Sequence, residues 1–163
     1  MTTDPSLPLL RAFRFQVTLL PTGGGTQRIA VGGAFQECTG LEVEMDVQEH
    51  LEGGRNDGVV RRIGRAKYTS LVLKRGMFHP PAGPANGELW DWMQDIVGGV
   101  RPARRYDGLV EVMSVGETVV ARWAFSRGLP SKLTGPQLDA KTGGVAIEEL
   151  HIAHEGLRLV TRR

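Results

Sequence analysis

Cysteine is nearly missing from this chain. Cys38 stands alone among 163 residues, so an intramolecular disulfide is impossible and a multi-cysteine metal site is excluded. No apolar run approaches the ~20 residues that a membrane-spanning helix needs. The opening MTTDPSLPLLRAF lacks the basic region and apolar stretch of a secretory signal. The expectation is a protein assembled in the cytoplasm, without stable membrane insertion by itself. Excess charge of one sign is also lacking, with 20 basic against 18 acidic residues, which argues against a dedicated nucleic-acid binder. Aromatics are scarce, at five Phe, three Trp and two Tyr. The clusters Arg61, Arg62, Arg65, Lys67 and Arg101, Arg104, Arg105 therefore have no base-stacking platform beside them.

Catalytic signatures are missing as well. Ser126 in FSRGLP is not a Gly-x-Ser-x-Gly elbow, and nothing around Cys38 marks a nucleophile. Neither PTGGGTQ nor LEGGRNDG runs into Gly-Lys-Ser/Thr, and neither opens a helix whose N-terminus could hold a phosphate. His151 and His154, three apart in HIAHE, would share a face on a helix but diverge on a strand. The surrounding β pattern therefore opposes a zinc chelate. No enzyme, cofactor or metal is expected.

What is present is β patterning punctuated by turns, with 22 Gly and 9 Pro. FRFQVTL alternates strictly, placing Phe13, Phe15, Val17 and Leu19 on one side. RIAVGGAFQECTG reads as a second strand. LEVEMDVQEHLE separates Leu41, Val43, Met45 and Val47 from Glu42, Glu44, Asp46 and Gln48. AKYTSLVLKRG reads as one further strand, and DGLVEVMSVGETVVARWAFSRG as a hairpin turning near Gly116. GGVAIEELHIAHEGLRLV reads as a last long strand with room for a bulge. ELWDWMQDIVGG predicts the one helix, with Asn86 as N-cap, a stripe of Leu89, Met93, Ile96 and Val97, and Gly98-Gly99 as the stop. Trp90 and Trp92 cannot share a helix face, which places one near the rim of the core or at an interface. The fold class that follows is mainly β: one domain over 1–163, an antiparallel β-sandwich or small β-barrel with one α-helix.

Between the acidic strand and the next apolar strand lies EHLEGGRNDGVVRR. Gly53-Gly54 and Asn56-Asp57-Gly58 are turn chemistry, so residues 48–66 read as an extended β-hairpin arm. An isolated two-stranded arm is marginal in water, which favours ordering by a partner over catalysis. Two other readings stay open on the residues alone. One is a soluble β-barrel binding a ligand or nucleic acid through the arginines. The other is a hydrolase gathering His50, Glu49 and Glu52, although Glu49 and His50 diverge on a strand.

The run FQECTGLEVEMDVQEHLEGGRNDGVVRRIGRAKYTSLVLKRG resembles the tail tube proteins of contractile phages and phage-tail-like contractile injection systems. The likeness rests on Phe35, Gly40, Leu41, Glu52, Gly53, Gly54, Asn56, Leu71, Leu73, Lys74, Arg75 and Gly76, in that order. It continues through LWDWM and WAFSRGLPSKLTGP to VAIEELHIAHEGL. The resemblance implies a structural inner-tube subunit. Six copies would close a ring around a channel, and rings would stack into a tube inside a sheath. Sheath, baseplate and tube-terminating proteins would be its partners, with lumenal cargo as a further one. It also implies that Glu52, Gly53, Gly54, Arg55, Asn56, Asp57, Arg61 and Arg62 reach neighbouring subunits or rings. The acidic strand, Glu42, Glu44 and Asp46, is the candidate surface they meet. Loops longer than in compact members, and residues 1–10 as an N-terminal extension, leave open a tube-initiating relative at the baseplate.

Overall fold

A computed structural model of the chain describes residues 10–11, 14–25, 35–51, 53–54 and 58–160. Among them are nine strands and one helix. The strands are β1 (Phe15–Pro21), β2 (Phe35–Thr39), β3 (Val43–His50), β4 (Val60–Tyr68), β5 (Leu71–Gly76), β6 (Tyr106–Met113), β7 (Val119–Thr134), β8 (Ile147–Ala153) and β9 (Gly156–Leu159), and α1 spans Glu88–Val97. All pairings are antiparallel. The main sheet runs β1-β6-β7-β8-β5-β2 with β9 added on β7, while β3 and β4 form a separate two-stranded sheet.

The long strand β7 serves two layers. Its first part pairs with β6 and, over Trp123–Ser126, with β9, whereas Leu129–Thr134 pairs with β8. The turn between the layers falls at Arg127, whose φ is 53°, and Gly128. A Cβ on Gly128 would lie 2.8 Å from an Ile152 methyl, so only glycine lets β7 cross β8 this closely. The outer strands β1 and β2 approach without pairing among the described residues. The result is a sandwich-like fold, and the sheet does not close into a barrel within one chain.

Alternation fills the space between the layers as expected for half-buried strands. Val17 and Leu19 of β1, Leu71 and Leu73 of β5, Val110 of β6, and Leu150 and Ile152 of β8 are buried together. Leu89 and Trp92 seal the core from α1. The Trp92 ring stands edge-on to Tyr106 at 4.7 Å, and its Nε1 donates to the Arg104 carbonyl at 2.9 Å. Val97, assigned to the apolar stripe from the sequence, is 80% exposed, and Trp92 takes the inward place. Gly87 is the N-cap rather than Asn86. Asn86 Oδ1 still accepts the backbone N–H of Glu88 at 3.1 Å, from one position earlier.

Two inward positions carry opposite charges. Arg75 shares a face with Leu71 and Leu73, Glu148 shares one with Leu150 and Ile152, and the two residues are cross-strand partners. Arg75 Nε donates to Glu148 Oε1 at 2.5 Å, and Trp90 Nε1 donates to Oε2 at 3.2 Å. Helix and sheet are thereby joined through one buried carboxylate. Trp90 is half-buried and Trp92 buried, in line with their opposed directions on the helix.

Three segments differ from the sequence expectation. AKYTSLVLKRG is two strands, broken at Thr69-Ser70, so β4 belongs to the arm and β5 to the body. The closing segment is likewise β8 and β9, parted at His154-Glu155, because each pairs with a different half of β7. The acidic strand spans Val43–His50, not Leu41–Glu52. Phe13, the extension up to residue 9 and residues 28–34 of the expected second strand lie outside the described residues.

Candidate assembly surface

The arm is built by the β3–β4 ladder, from Val43 opposite Tyr68 to His50 opposite Val60. One bulge interrupts it, where Gly64 and Arg65 face Asp46 alone. Among the described residues, β3 and β4 pack on each other and on no other element to a similar extent. The arm therefore stands off the body.

Its two faces differ chemically. Because directly paired residues share a face, Val43, Met45 and Val47 lie beside Tyr68, Ala66 and Ile63. The opposite face carries Glu44, Asp46, Gln48, Arg62 and Lys67. Strand alternation normally directs an apolar face onto a core, yet Val43, Met45, Val47 and Ile63 are all exposed, Ile63 at 75%. Leu51, beyond the strand, is 78% exposed. Fully covering such side chains contributes roughly 1.5–3 kcal/mol each. That exceeds what holds a lone hairpin in water.

Two ion pairs match part of the charge within the arm. Lys67 Nζ lies 2.5 Å from Asp46 Oδ1, and that carboxylate raises the lysine's pKa by hydrogen bond and by charge. Arg61 Nε lies 3.5 Å from Glu49 Oε1. Elsewhere Arg104 meets Asp95, and Arg105 meets Glu155. Lys67 with Asp46 and Arg61 with Glu49 are thus paired within their own hairpin. Gly53 and Gly54 form the described part of the tip, and Glu52, Arg55, Asn56 and Asp57 lie outside the described residues. Glu49 and His50 fall on opposite faces of β3, so the arrangement a hydrolase would need is not formed by them.

The root of the arm is tightly fitted. Gly40 has φ +87°, and a Cβ there would sit 2.2 Å from the Ser70 carbonyl oxygen. The two legs of the hairpin cross at this point with no side chain between them. Beside the crossing, the His154 ring packs against Tyr68 and Phe125, with centroids 5.5 and 5.7 Å away. His151 is engaged separately. Its Nε2 lies 2.6 Å from Glu149 Oε1, a contact that, with Lys74 and Lys132 nearby, holds the Glu149 carboxyl below its usual range. Cys38 of β2 is half-buried, and burial pushes its thiol up to about 11.

Sequence reasoning singled out the acidic side of β3 and did not mark the apolar side, Val43, Met45 and Val47, as exposed too. The available signal was the return strand, where Ile63 and Ala66 supply apolar partners to Val47 and Met45.

A solitary hairpin with one apolar face, rooted on a two-layer β body, is the geometry to compare with known proteins. The family described as T4-like virus tail tube protein gp19 matches residues 11–158. The chain belongs to that family. A search of curated proteins found no match. Solved structures share the tail tube fold. A chain of the anti-feeding prophage tube-terminating cap is 20% identical with a TM-score of 0.77, over 99% of this chain and 97% of that one. A chain of the PVC sheath–tube complex, an extracellular contractile injection system in its extended state, is 21% identical with a TM-score of 0.75, over 99% and 100%. One from the six-fold symmetrised anti-feeding prophage baseplate is 23% identical with a TM-score of 0.73, over 98% and 97%. Among the described residues, no helix of this tail tube protein is long and apolar enough to cross a membrane.

Proposed function

We propose that this tail tube protein is the inner-tube subunit of a contractile injection system or phage tail, closing six-membered rings that stack around a channel. The observation that carries the reading is the arm: its apolar face, from Val43 to Val47 with Ile63, is uncovered in one chain. A second copy is the natural cover, because homo-oligomers bury repeated patches against one another. The open outer strands β1 and β2 would be managed in the same way, by neighbours. Residues 48–66, including Glu52, Gly53, Gly54, Arg55, Asn56, Asp57, Arg61 and Arg62, would then form the inter-subunit or inter-ring contact, with Glu42, Glu44 and Asp46 as the acidic surface they meet on a neighbouring copy. Sheath, baseplate and terminator proteins would be its partners. Assembly would take place in the cytoplasm, and the finished particle would act outside the cell. The function is mechanical, without catalysis.

Electron microscopy of the purified chain tests this. Stacked rings are expected for the native sequence. Val47→Asp, or replacement of Gly53–Gly58 by a two-residue turn, should leave a folded body by circular dichroism and abolish tubes. Normal tubes from both variants would refute the role of the arm, and persistent monomers of the native chain at high concentration would refute the tube. Likeness to the baseplate chain at a similar TM-score supports a second reading, a tube-initiating ring at the baseplate. Immunogold labelling of native particles at one end only, and not along the tube, would select it.

A further inference from the structure

We propose that the apolar face of the arm seats in a groove on the body of a neighbouring copy, with Ile63 as its anchor and Glu49 meeting Arg158 at the groove's rim. The partner, a second copy of this chain, rests on the tube reading above. The groove encloses about 610 Å³ among Leu20, Leu109, Ala124, Ser126 and Arg158 of the body and Tyr68 at the arm's root. It lies on the outer face of the layer formed by β1, β6, β7 and β9. Val17, Leu19 and Val110 turn into the core, so alternation turns Thr18, Leu20 and Leu109 outward. Register continues the row across the layer. Thr18 faces Leu109, Leu109 faces Ala124, and Ala124 faces Arg158.

Side-chain size explains the hollow. Ala124, Ser126 and Gly156 raise little above the sheet, while Leu20, Leu109 and Tyr68 stand higher around them. Ser126 and Gly156 are cross-strand partners, and a Cβ on Gly156 would lie 2.9 Å from Ser126 Oγ. The floor thus has no room for added bulk of its own. Leu20, Leu109 and Ala124 are only half-buried, which leaves apolar surface for a visiting side chain. Asp107 also lines the groove. Its carboxylate is engaged, accepting from Thr22 Oγ1 and from the Arg127 backbone N–H, both at 2.8 Å. Arg158 is exposed, so the groove offers a visitor an apolar floor with a cation at the rim.

The arm presents the complement. Beyond Val43, Met45, Val47 and Ile63, the next pair along the same face is Glu49 with Arg61. Arg61 approaches Glu49 only to 3.5 Å, and both side chains are more than half exposed, so the carboxylate is free to turn to another cation. The arm cannot fill its own groove. Tyr68 already lines it, and Ile63 stands further out along β4, roughly 17 Å away in an extended strand. The Gly40–Ser70 crossing fixes the root, so the ribbon does not fold back on itself. The occupant therefore comes from another chain. An arm seated in a neighbour's groove leaves its own groove open to a third copy, and the contact propagates head to tail instead of closing on a pair. The opposite face of the arm, with Arg62, stays available to the acidic surface proposed above.

Disulfide trapping on the full-length chain tests the seat, in a Cys38→Ser background that removes the native thiol. Two variants are mixed and oxidised, one carrying Ile63→Cys and the other Leu109→Cys. A cross-linked dimer holding one of each is expected on a non-reducing gel. A second mixture, Glu49→Cys with Arg158→Cys, keeps the Ile63 anchor in place and should give the same product. Absence of both links overturns the groove as the arm's seat. Electron microscopy of the same samples reports tubes separately. Tubes without either link overturn the groove and leave the tube reading standing, whereas links without tubes uphold the groove and overturn the tube. Sedimentation tests the rim. Glu49→Arg should raise the concentration for half-assembly about tenfold, because like charges then meet. Adding Arg158→Glu to the same chain should restore it, and failure of that rescue would overturn the pairing of Glu49 with Arg158.

Discussion

Replacing Glu148 with leucine removes the one carboxylate that faces Arg75 inside the body. Arg75 is 2% exposed and Glu148 1%, so water cannot substitute for the lost partner. The remaining acceptor is Asn86 Oδ1, at 3.4 Å from Arg75 Nη2, already shared with the first turn of α1. Trp90 Nε1 also loses its acceptor. Breaking one side of a buried ion pair costs about 3–5 kcal/mol. For a chain of this length that lowers the melting temperature by roughly 6–20 °C. The double change Arg75→Met with Glu148→Leu removes the stranded charge and should restore most of the loss, because matched apolar replacements of buried pairs are often neutral or stabilising. A double-mutant cycle in urea, followed by circular dichroism on the unassembled chain, measures the coupling. Single changes that each lose under about 1 kcal/mol, or losses that simply add in the double variant, would refute the reasoning.

Gly40→Ala forces a Cβ against the Ser70 carbonyl and a left-handed φ on a residue with a side chain. A loss of about 2 kcal/mol or more is expected in the same unfolding assay. Glu111 is buried on β6. Burial pulls its pKa up, but hydrogen bonds from Gln16 and Arg122 outweigh it and hold the carboxyl below its usual value of 4.5. Its stabilising effect is present above that value and lost as pH falls through the folded one. Glu111→Gln should therefore cost about 1.5–3 kcal/mol at pH 7, and the difference should shrink on titration to pH 3. The Cys38 thiol, pushed up to about 11 from 9.0, should react with iodoacetamide at pH 8 about 100-fold more slowly than an ordinary thiol, because the thiolate is the nucleophile. Mass spectrometry of timed samples checks it.

Much of the body was legible in the sequence because alternation acts locally. Val17 and Leu19, or Leu150 and Ile152, declare a buried face through parity alone. The same parity places Arg75 with Leu71 and Leu73, and Glu148 with Leu150. The buried ion pair was readable as two charges at inward positions, once the register of β5 on β8 was known. Breaks within apparently continuous strands were not legible. Thr69-Ser70 and His154-Glu155 look like ordinary strand residues, and only the Gly40 crossing and the shared strand β7 show why the chain must leave the ladder there. The arm's turn chemistry was plain, but the face that lacks cover depends on three-dimensional neighbours. Local patterning carries no record of them.

The glycine at the arm's root and those at its tip differ in kind, and the difference says where foreign sequence could be grafted. At the root, Gly40 leaves no space for even a methyl group. At the tip, a Cβ on Gly53, Gly54 or Gly58 would meet nothing within 4 Å. A peptide spliced between Gly54 and Gly58 would therefore leave the crossing legs undisturbed. The same peptide placed near Gly40 or Ser70 would force them apart and tip the whole ribbon. The fold of one chain accepts new sequence at the far end of the hairpin, where assembly alone would feel it, and rejects it at the base.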